Sequence, residues 1–264
     1  AEGNEEKIKE IMLGIVKERG KHQNPVTGSG GMLIGIVEQI GPTLEGKTDL
    51  KVGDKIATLV SLSLTPLFIE EILEVRKDIP ENLALSVLDV AGAPAQTQKL
   101  VKKGHTVLIL GAAGKSGILC LYEAKKMAGP SGRVICLDYS EKSLENVKKL
   151  ELADDYIVAD ATDGVGVYSK VMEITDGKLC DTVIVNVNIQ NCEMSAILST
   201  KEGGTVYFFS MATNFTSASL GAEGVYKDVT MMIGNGYCKG HAETALQILR
   251  ESEKIRKMYT ELYA

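Results

Sequence analysis

Residues 106–117 read TVLILGAAGKSG and residues 133–138 read RVICLD, with a helix-length segment between them. Thr106 to Leu110 is a short apolar run rich in β-branched residues that stops at glycine, and residues 115–128 carry helical spacing. A strand that enters a glycine loop and leaves it as a helix places the loop at the carboxyl edge of a parallel sheet. There, backbone amides and the helix dipole receive phosphate. Written against G-x-G-x-x-G, the register is Ala112-x-Gly114-x-x-Gly117, with alanine at the first position and Gly111 just before it. Gly114 lets the backbone approach a pyrophosphate, Gly117 lets helix and strand pack closely, and Ala113, Lys115 and Ser116 complete the cradle. The second strand ends in Asp138, twenty-one residues after Gly117, the spacing at which a carboxylate accepts the hydroxyls of an adenosine ribose. A carboxylate there repels a 2′-phosphate, so the expected cofactor is NAD rather than NADP.

The same alternation continues to the C-terminus. Short apolar strands at 106–110, 133–137, 156–158, 182–187, 204–210 and 229–234 are separated or followed by helical segments at 115–128, 140–150, 163–174, 191–199 and 240–262. This rhythm predicts an α/β fold, a Rossmann doubly wound parallel sheet with crossover helices. It occupies residues 89–264; a helix that starts after the Asp78-Ile79-Pro80-Glu81 signal leads into Ala91-Gly92-Ala93-Pro94, and a second helix runs to about Val101. Residues 1–88 differ in character. Ile8, Ile11, Met12, Ile15 and Val16 share one face of a helix over 5–19; a glycine-rich stretch follows, and Leu33 to Ile40 and Lys55 to Leu62 read as strands around the turn at Lys51 to Asp54. The expectation is a smaller β-rich domain.

With 264 residues and 44% hydrophobic content, the chain has enough apolar material for a packed core. Its apolar runs are too short to cross a bilayer and no charged-then-apolar leader opens it, so the expected location is the cytoplasm. Five scattered cysteines without a CxxC pair suit buried thiols in a reducing compartment. A net charge of −6 argues against nucleic acid and anionic membrane as partners and leaves small molecules. An exposed edge strand would permit a homodimer.

Three look-alike motifs fail on context. Gly114-Lys115-Ser116 suggests a nucleotide-triphosphate loop, but that pattern needs glycine at 109, where Ile109 stands. Gly28-Ser29-Gly30 lacks a third glycine at Leu33 and no helix follows. Tyr122 and Lys126 have the Tyr-x-x-x-Lys spacing of short-chain dehydrogenases, yet they lie on the crossover helix that runs away from the cofactor. Chemistry in an open α/β sheet sits beyond the carboxyl ends of its strands. Asn186 and Ser210 are small polar groups suited to the nicotinamide and its ribose, and Ala161 could pack on adenine. Each is also an ordinary turn residue.

The strings LGAAGKSG (110–117) and LDVAGAPA (88–95) resemble the medium-chain dehydrogenase and quinone reductase superfamily, and PVTGSGGMLIGIV (25–37) with VGDKI (52–56) resembles its GroES-like catalytic domain. Zinc-dependent members carry His and Glu where Ser29 and Gly30 stand here, and a Cys ligand falls on Ala91. Since catalytic zinc needs three such ligands, the resemblance implies no metal. KHQNPVTGSGGMLIG (21–35), ATLVSLSLTP (57–66), DVAGAPAQT (89–97), GGTVYFFSMAT (203–213) and GNGYCKGHAE (234–243) are similar to the L-erythro-3,5-diaminohexanoate dehydrogenase family, and the likeness runs through essentially the whole chain. Relative to that family the chain is shorter at the N-terminus and between about Arg76 and Pro80, so the first domain is expected to be incomplete.

The resemblance implies NAD-dependent oxidative deamination of a diamino acid, 3,5-diaminohexanoate, to 5-amino-3-oxohexanoate and ammonia. Hydride can leave a carbon that bears nitrogen only when the amine is neutral, because its lone pair stabilises the iminium that forms. The protein must therefore hold one ammonium, deprotonate another and admit water. Candidates for these tasks are Asp89, His22 and Glu243, with Glu223, Lys21 and His241 behind them; His22 or His241 could accept a proton near neutral pH. Other readings open at this point are a zinc-independent quinone or enone reductase and a non-catalytic NAD-binding protein.

Overall fold

The computed structural model describes residues 5–21, 34–43, 45–57, 78–234 and 236–263. The chain divides into two compact units, Ala1–Asp89 with Tyr263–Ala264, and Val90–Leu262.

In the first unit, Glu5–Arg19 forms α1, which ends at Gly20 in the left-handed region (φ 67°), where the glycine amide donates to Val16 O. Of the expected apolar face, Met12, Ile15 and Val16 are half-buried, whereas Ile11 is 46% exposed. Ile34–Ile36 (β1) and Lys55–Ala57 (β2) pair antiparallel, with Gly35 opposite Ile56. β1 stops at Ile36, short of the Ile40 of the sequence reading, whereas β2 starts at Lys55 as read and the rest of that strand, 58–62, falls outside the described residues. The connecting turn forms where expected: Asp54 Oδ2 accepts from Lys51 N at 2.7 Å and Gly53 takes φ 92°, a conformation glycine adopts without strain. Glu81–Leu88 (α2) follows Pro80, whose φ of −54° is set for helix entry.

The second unit begins with α3 (Gly92–Leu100) and then alternates: β3 (Thr106–Leu110), α4 (Lys115–Ala128), β4 (Arg133–Asp138), α5 (Glu141–Lys148), β5 (Asp155–Val158), α6 (Gly164–Ile174), β6 (Cys180–Val185), α7 (Glu193–Ser199), β7 (Thr200–Phe208), α8 (Phe215–Gly224), β8 (Thr230–Ile233), α9 (His241–Glu251) and α10 (Glu253–Tyr263). The six strands form one sheet in the order β5-β4-β3-β6-β7-β8, and every neighbouring pair is parallel. This is the doubly wound order, with the reversal falling between β3 and β6. Val107 to Leu110 and Val183 to Ile184 are fully buried, as expected for central strands covered on both faces.

Two differences from the sequence reading have local causes. Helix α8 went unread because FTSASLGAEG is dominated by Ser, Ala and Gly and shows only a faint apolar stripe; its start is nonetheless marked by Asn214, whose Oδ1 accepts from Ser217 N at 2.9 Å. The segment 240–262 is two helices, broken at Ser252, which adopts extended torsions (φ −121°, ψ 100°). At the start of α3, Gly92 lies so close to the chain at Gly236 that an added Cβ would stand 2.9 Å from the Gly236 Cα. Ala91, at the position of the superfamily's cysteine ligand, is buried.

Candidate functional site

The reversal of strand order opens a crevice at the carboxyl ends of β3 and β6, the place where such sheets bind ligands. Gly111 and Asn186 leave those two strands side by side: Asn186 N donates to Leu110 O at 2.9 Å, and Gly111 N and Ala112 N donate to Leu137 O at 2.9 and 3.1 Å. Gly111 has φ 75°, and a Cβ there would lie 2.9 Å from Val187 N. A Cβ on Gly117 would lie 2.7 Å from the Cα of Ala112, so the helix can approach its own loop only as glycine. A Cβ on Gly114 would meet only Gly111 O, at 3.4 Å, and open space otherwise, which leaves room for a ligand over the loop.

Helix α4 starts at this loop without a side-chain cap. Ser140, Asp163 and Asn214 close α5, α6 and α8 by accepting from first-turn amides, whereas α2, α3, α7 and α9 share the uncapped start of α4. Helix geometry leaves the amides of Ser116 and Gly117 without an intrahelical acceptor, and an anion is what such a terminus receives. Tyr259 of α10, fully buried, donates its hydroxyl to Lys115 O and so ties the first turn of α4 to the C-terminal helix.

Asp138 stands at the end of β4. Its Oδ2 accepts from Ala113 N at 3.0 Å and its Oδ1 from Ser140 N at 3.3 Å. Two carboxylate oxygens offer about four lone-pair sites, so room for a vicinal diol remains after both bonds. Asn186 Oδ1 accepts from the Cys120 thiol at 3.8 Å, while Asn186 Nδ2 is buried with no hydrogen-bond partner. Ser210, 7% exposed, donates to Asn188 Oδ1 at 3.3 Å and accepts from Ala212 N, which joins the ends of β6 and β7. Ala161 is in the hydrophobic core, its carbonyl held by Ser195 Oγ at 2.6 Å, and leaves little surface at the crevice. An open glycine cradle, an uncapped helix, a carboxylate with spare acceptor sites and an orphaned amide donor together fit a dinucleotide.

Loop and strand-end residues thus come together on one edge. The acid–base candidates are more scattered. Asp89 is exposed at the C-terminal end of α2, and His22 lies outside the described residues. Glu243 is exposed on the first turn of α9 and pairs with Arg250 at 3.0 Å. Two residues earlier, His241 is only 2% exposed; its Nδ1 has no partner and its ring meets Tyr237 edge-on at 4.9 Å. Glu223 is exposed on α8 and Lys21 is half-buried. Sequence reasoning missed the contact of Cys120 with Asn186 and also Glu193, a buried carboxylate that accepts from Asn214 N at 2.7 Å and holds the loop after β7. Neither lies in a local pattern. Among the described residues no cluster of three His, Cys, Asp or Glu could hold a metal, and no helix is long and apolar enough to cross a membrane.

Tyr122 and Lys126 have a structural use. Both donate to Glu251 Oε2 at 2.7 Å and fasten α4 to the end of α9. We expect Tyr122→Phe to keep turnover within about twofold in steady-state kinetics, whereas loss of a true acid–base group costs about 100-fold or more. The two donors push the Glu251 carboxyl down from 4.5 to about 2. A carboxylate depressed by folding stabilises above its unfolded value and loses that contribution as pH falls, here from about 4.5 to about 2. Because water screens a partly exposed pair, Glu251→Gln is expected to cost about 1 kcal/mol at neutral pH. In thermal denaturation its deficit against the unchanged protein should shrink through that acid range.

Sheet order, glycine loop and acidic strand end define the class: an oxidoreductase built on a Rossmann domain for a nicotinamide dinucleotide. Solved structures share the fold. A mycobacterial protein complexed with NADPH matches at TM-score 0.61 and 18% identity, covering 88% of this chain and 71% of that one. A quinone oxidoreductase of Pseudomonas syringae pv. Tomato matches at TM-score 0.58 and 22% identity, over 91% of this chain and 74% of that one. Residues 1–84 match the L-erythro-3,5-diaminohexanoate dehydrogenase N-terminal domain. The L-erythro-3,5-diaminohexanoate dehydrogenase of Acetoanaerobium sticklandii is 57% identical over 97% of this chain and 82% of its own length; that of Fusobacterium nucleatum is 53% identical over 98% and 82%. The chain belongs to the L-erythro-3,5-diaminohexanoate dehydrogenase family.

Proposed function

We propose that this protein catalyses NAD-dependent oxidative deamination of L-erythro-3,5-diaminohexanoate to 5-amino-3-oxohexanoate. The substrate ammonium, NAD and water give the ketone, ammonium, NADH and one proton. The observation that carries the reading is identity of 57% across 97% of the chain with a dehydrogenase of that substrate. The choice of NAD over NADP rests on Asp138, whose carboxylate accepts from the loop amide of Ala113 and opposes a second negative charge at the ribose.

In this reading the amides at the start of α4 hold the pyrophosphate, Asp138 takes the adenosine ribose, and Asn186 and Ser210 line the nicotinamide end, while Ala161, expected to pack on the adenine, backs that end from the core. A bound nicotinamide supplies the hydride acceptor. The protein's own groups do the rest. The C3 ammonium loses a proton before hydride leaves, for which His22 is the proposed acceptor; Asp89 and Glu243 are the proposed carboxylates for the ammonium that stays. A water molecule then attacks the iminium carbon and the nitrogen departs as ammonia. The substrate is a small diamino acid, with neither nucleic acid nor membrane as a partner, acting in the cytoplasm, and β8, the edge strand of the sheet among the described residues, permits a homodimer.

Steady-state assays with NAD and the diamino acid, beside NADPH with an enone or quinone, test this. We expect NADH formation in the first and no NADPH consumption in the second. The reverse outcome would replace the reading with a reductase.

A further inference from the structure

Helix α10 buries one face, Ile255 and Tyr259, set one turn apart, and starts at Ser252, whose Oγ accepts from Ile255 N at 3.2 Å. The Tyr259 hydroxyl donates to Lys115 O, a carbonyl that can only accept, so the direction of this bond is fixed. Lys115 is the first residue of α4, and its carbonyl belongs to the same peptide unit as the amide of Ser116. A trans peptide is planar and holds its C=O and N–H on opposite sides, and no peptide bond here is cis. Whatever grips the oxygen therefore also sets where the N–H points. In a helix that direction is toward the N-terminal end, which here is the glycine loop. Helix geometry commits one lone pair of Lys115 O to the amide four residues on, and Tyr259 takes the other. A donor on the carbonyl also polarises the peptide unit and strengthens its N–H. The first turn has little else to hold it, because α4 lacks a side-chain cap and the loop before it contains Gly111 and Gly114, residues with wide backbone freedom.

We infer that Tyr259 is a positioning residue for the nucleotide: by holding Lys115 O it aims and strengthens the Ser116 amide, which binds an oxygen of the pyrophosphate. This rests on the dinucleotide reading of the site. Tyr259 is fully buried and acts through that one peptide unit, so the C-terminal helix is part of the phosphate cradle although 144 positions separate the two residues.

The test compares NAD and ADP-ribose, which both carry the pyrophosphate, with adenosine, which lacks it. Calorimetry on the full chain, with adenosine titrated in competition with NAD, gives the dissociation constants for the unchanged protein and two variants. Tyr259→Phe deletes only the hydroxyl, whereas Ile255→Val loosens the same buried face of α10 and leaves the hydroxyl in place. Loss of one neutral hydrogen bond corresponds to a change of about threefold to tenfold. We expect Tyr259→Phe to weaken NAD and ADP-ribose by one common factor in that range with adenosine unchanged, and to raise KM for NAD without changing kcat. Ile255→Val should leave all these constants as they are. Adenosine weakened in parallel, or an equal loss of NAD affinity in Ile255→Val, would mean a packing role and overturn the inference. A second readout needs no variant. In NMR spectra of the unchanged protein the Ser116 amide proton should move downfield on addition of ADP-ribose, and a resonance that stayed in place would overturn the inference even if Tyr259→Phe failed to fold. If the unchanged protein bound NAD and ADP-ribose and Tyr259→Phe bound them equally well, the inference alone would fall; if the unchanged protein bound neither, the dinucleotide reading itself would fail and the inference with it.

Discussion

Gly117→Val is expected to lower the affinity for NAD by on the order of 100-fold while the sheet still forms. The reason is geometric: any Cβ at this position stands 2.7 Å from Ala112 Cα, which is backbone of the phosphate loop and not the end of a flexible side chain. Relief requires α4 to move away from β3 or the loop to change course, at a cost of about 1–3 kcal/mol for overpacking alone. The same movement displaces Ala113, whose amide binds Asp138, and turns the first-turn amides from the pyrophosphate. Calorimetric titration with NAD, with a melting curve as control, checks this. A dissociation constant within twofold of the unchanged protein would show that the loop does not carry the cofactor.

Asp138→Ala has the second large effect, on which nucleotide is used. Removing the carboxylate deletes the acceptor proposed for the ribose hydroxyls and the bond from Ala113 N, together about 2 kcal/mol or about 30-fold in NAD affinity. It also removes the negative charge proposed to oppose a 2′-phosphate. The NAD to NADP preference should therefore fall by more than the loss in NAD binding alone. The ratio of kcat/KM for the two nucleotides measures it. An unchanged ratio would place the selectivity elsewhere.

Both predictions come from residues legible in the sequence, and the reason is physical. Strand, glycine loop, helix and acidic strand end lie within 33 consecutive residues, 106–138, where local rules operate and registers are fixed by the chain itself. Strands β3 and β4 and helix α4 accordingly lie where their spacing places them. Helix α8, made of small residues, carried no periodic signal, and a Ser252 kink is not distinguishable in sequence from a continuing helix. The partners around the crevice were out of reach for a different reason. Cys120 to Asn186 spans 66 positions, Ser210 to Asn188 spans 22 and Tyr259 to Lys115 spans 144, so only the folded sheet brings them together. The Tyr122 and Lys126 spacing shows the converse, since a familiar pattern on the wrong element serves as a brace to Glu251.

The most direct test of the central claim uses L-erythro-3,5-diaminohexanoate with deuterium at C3, mixed with the purified protein and NAD. The account predicts that the label appears in the reduced nicotinamide, one equivalent for each ammonia released and each 5-amino-3-oxohexanoate formed. Label retained in the amino acid, or reduced nucleotide without ammonia, would contradict it.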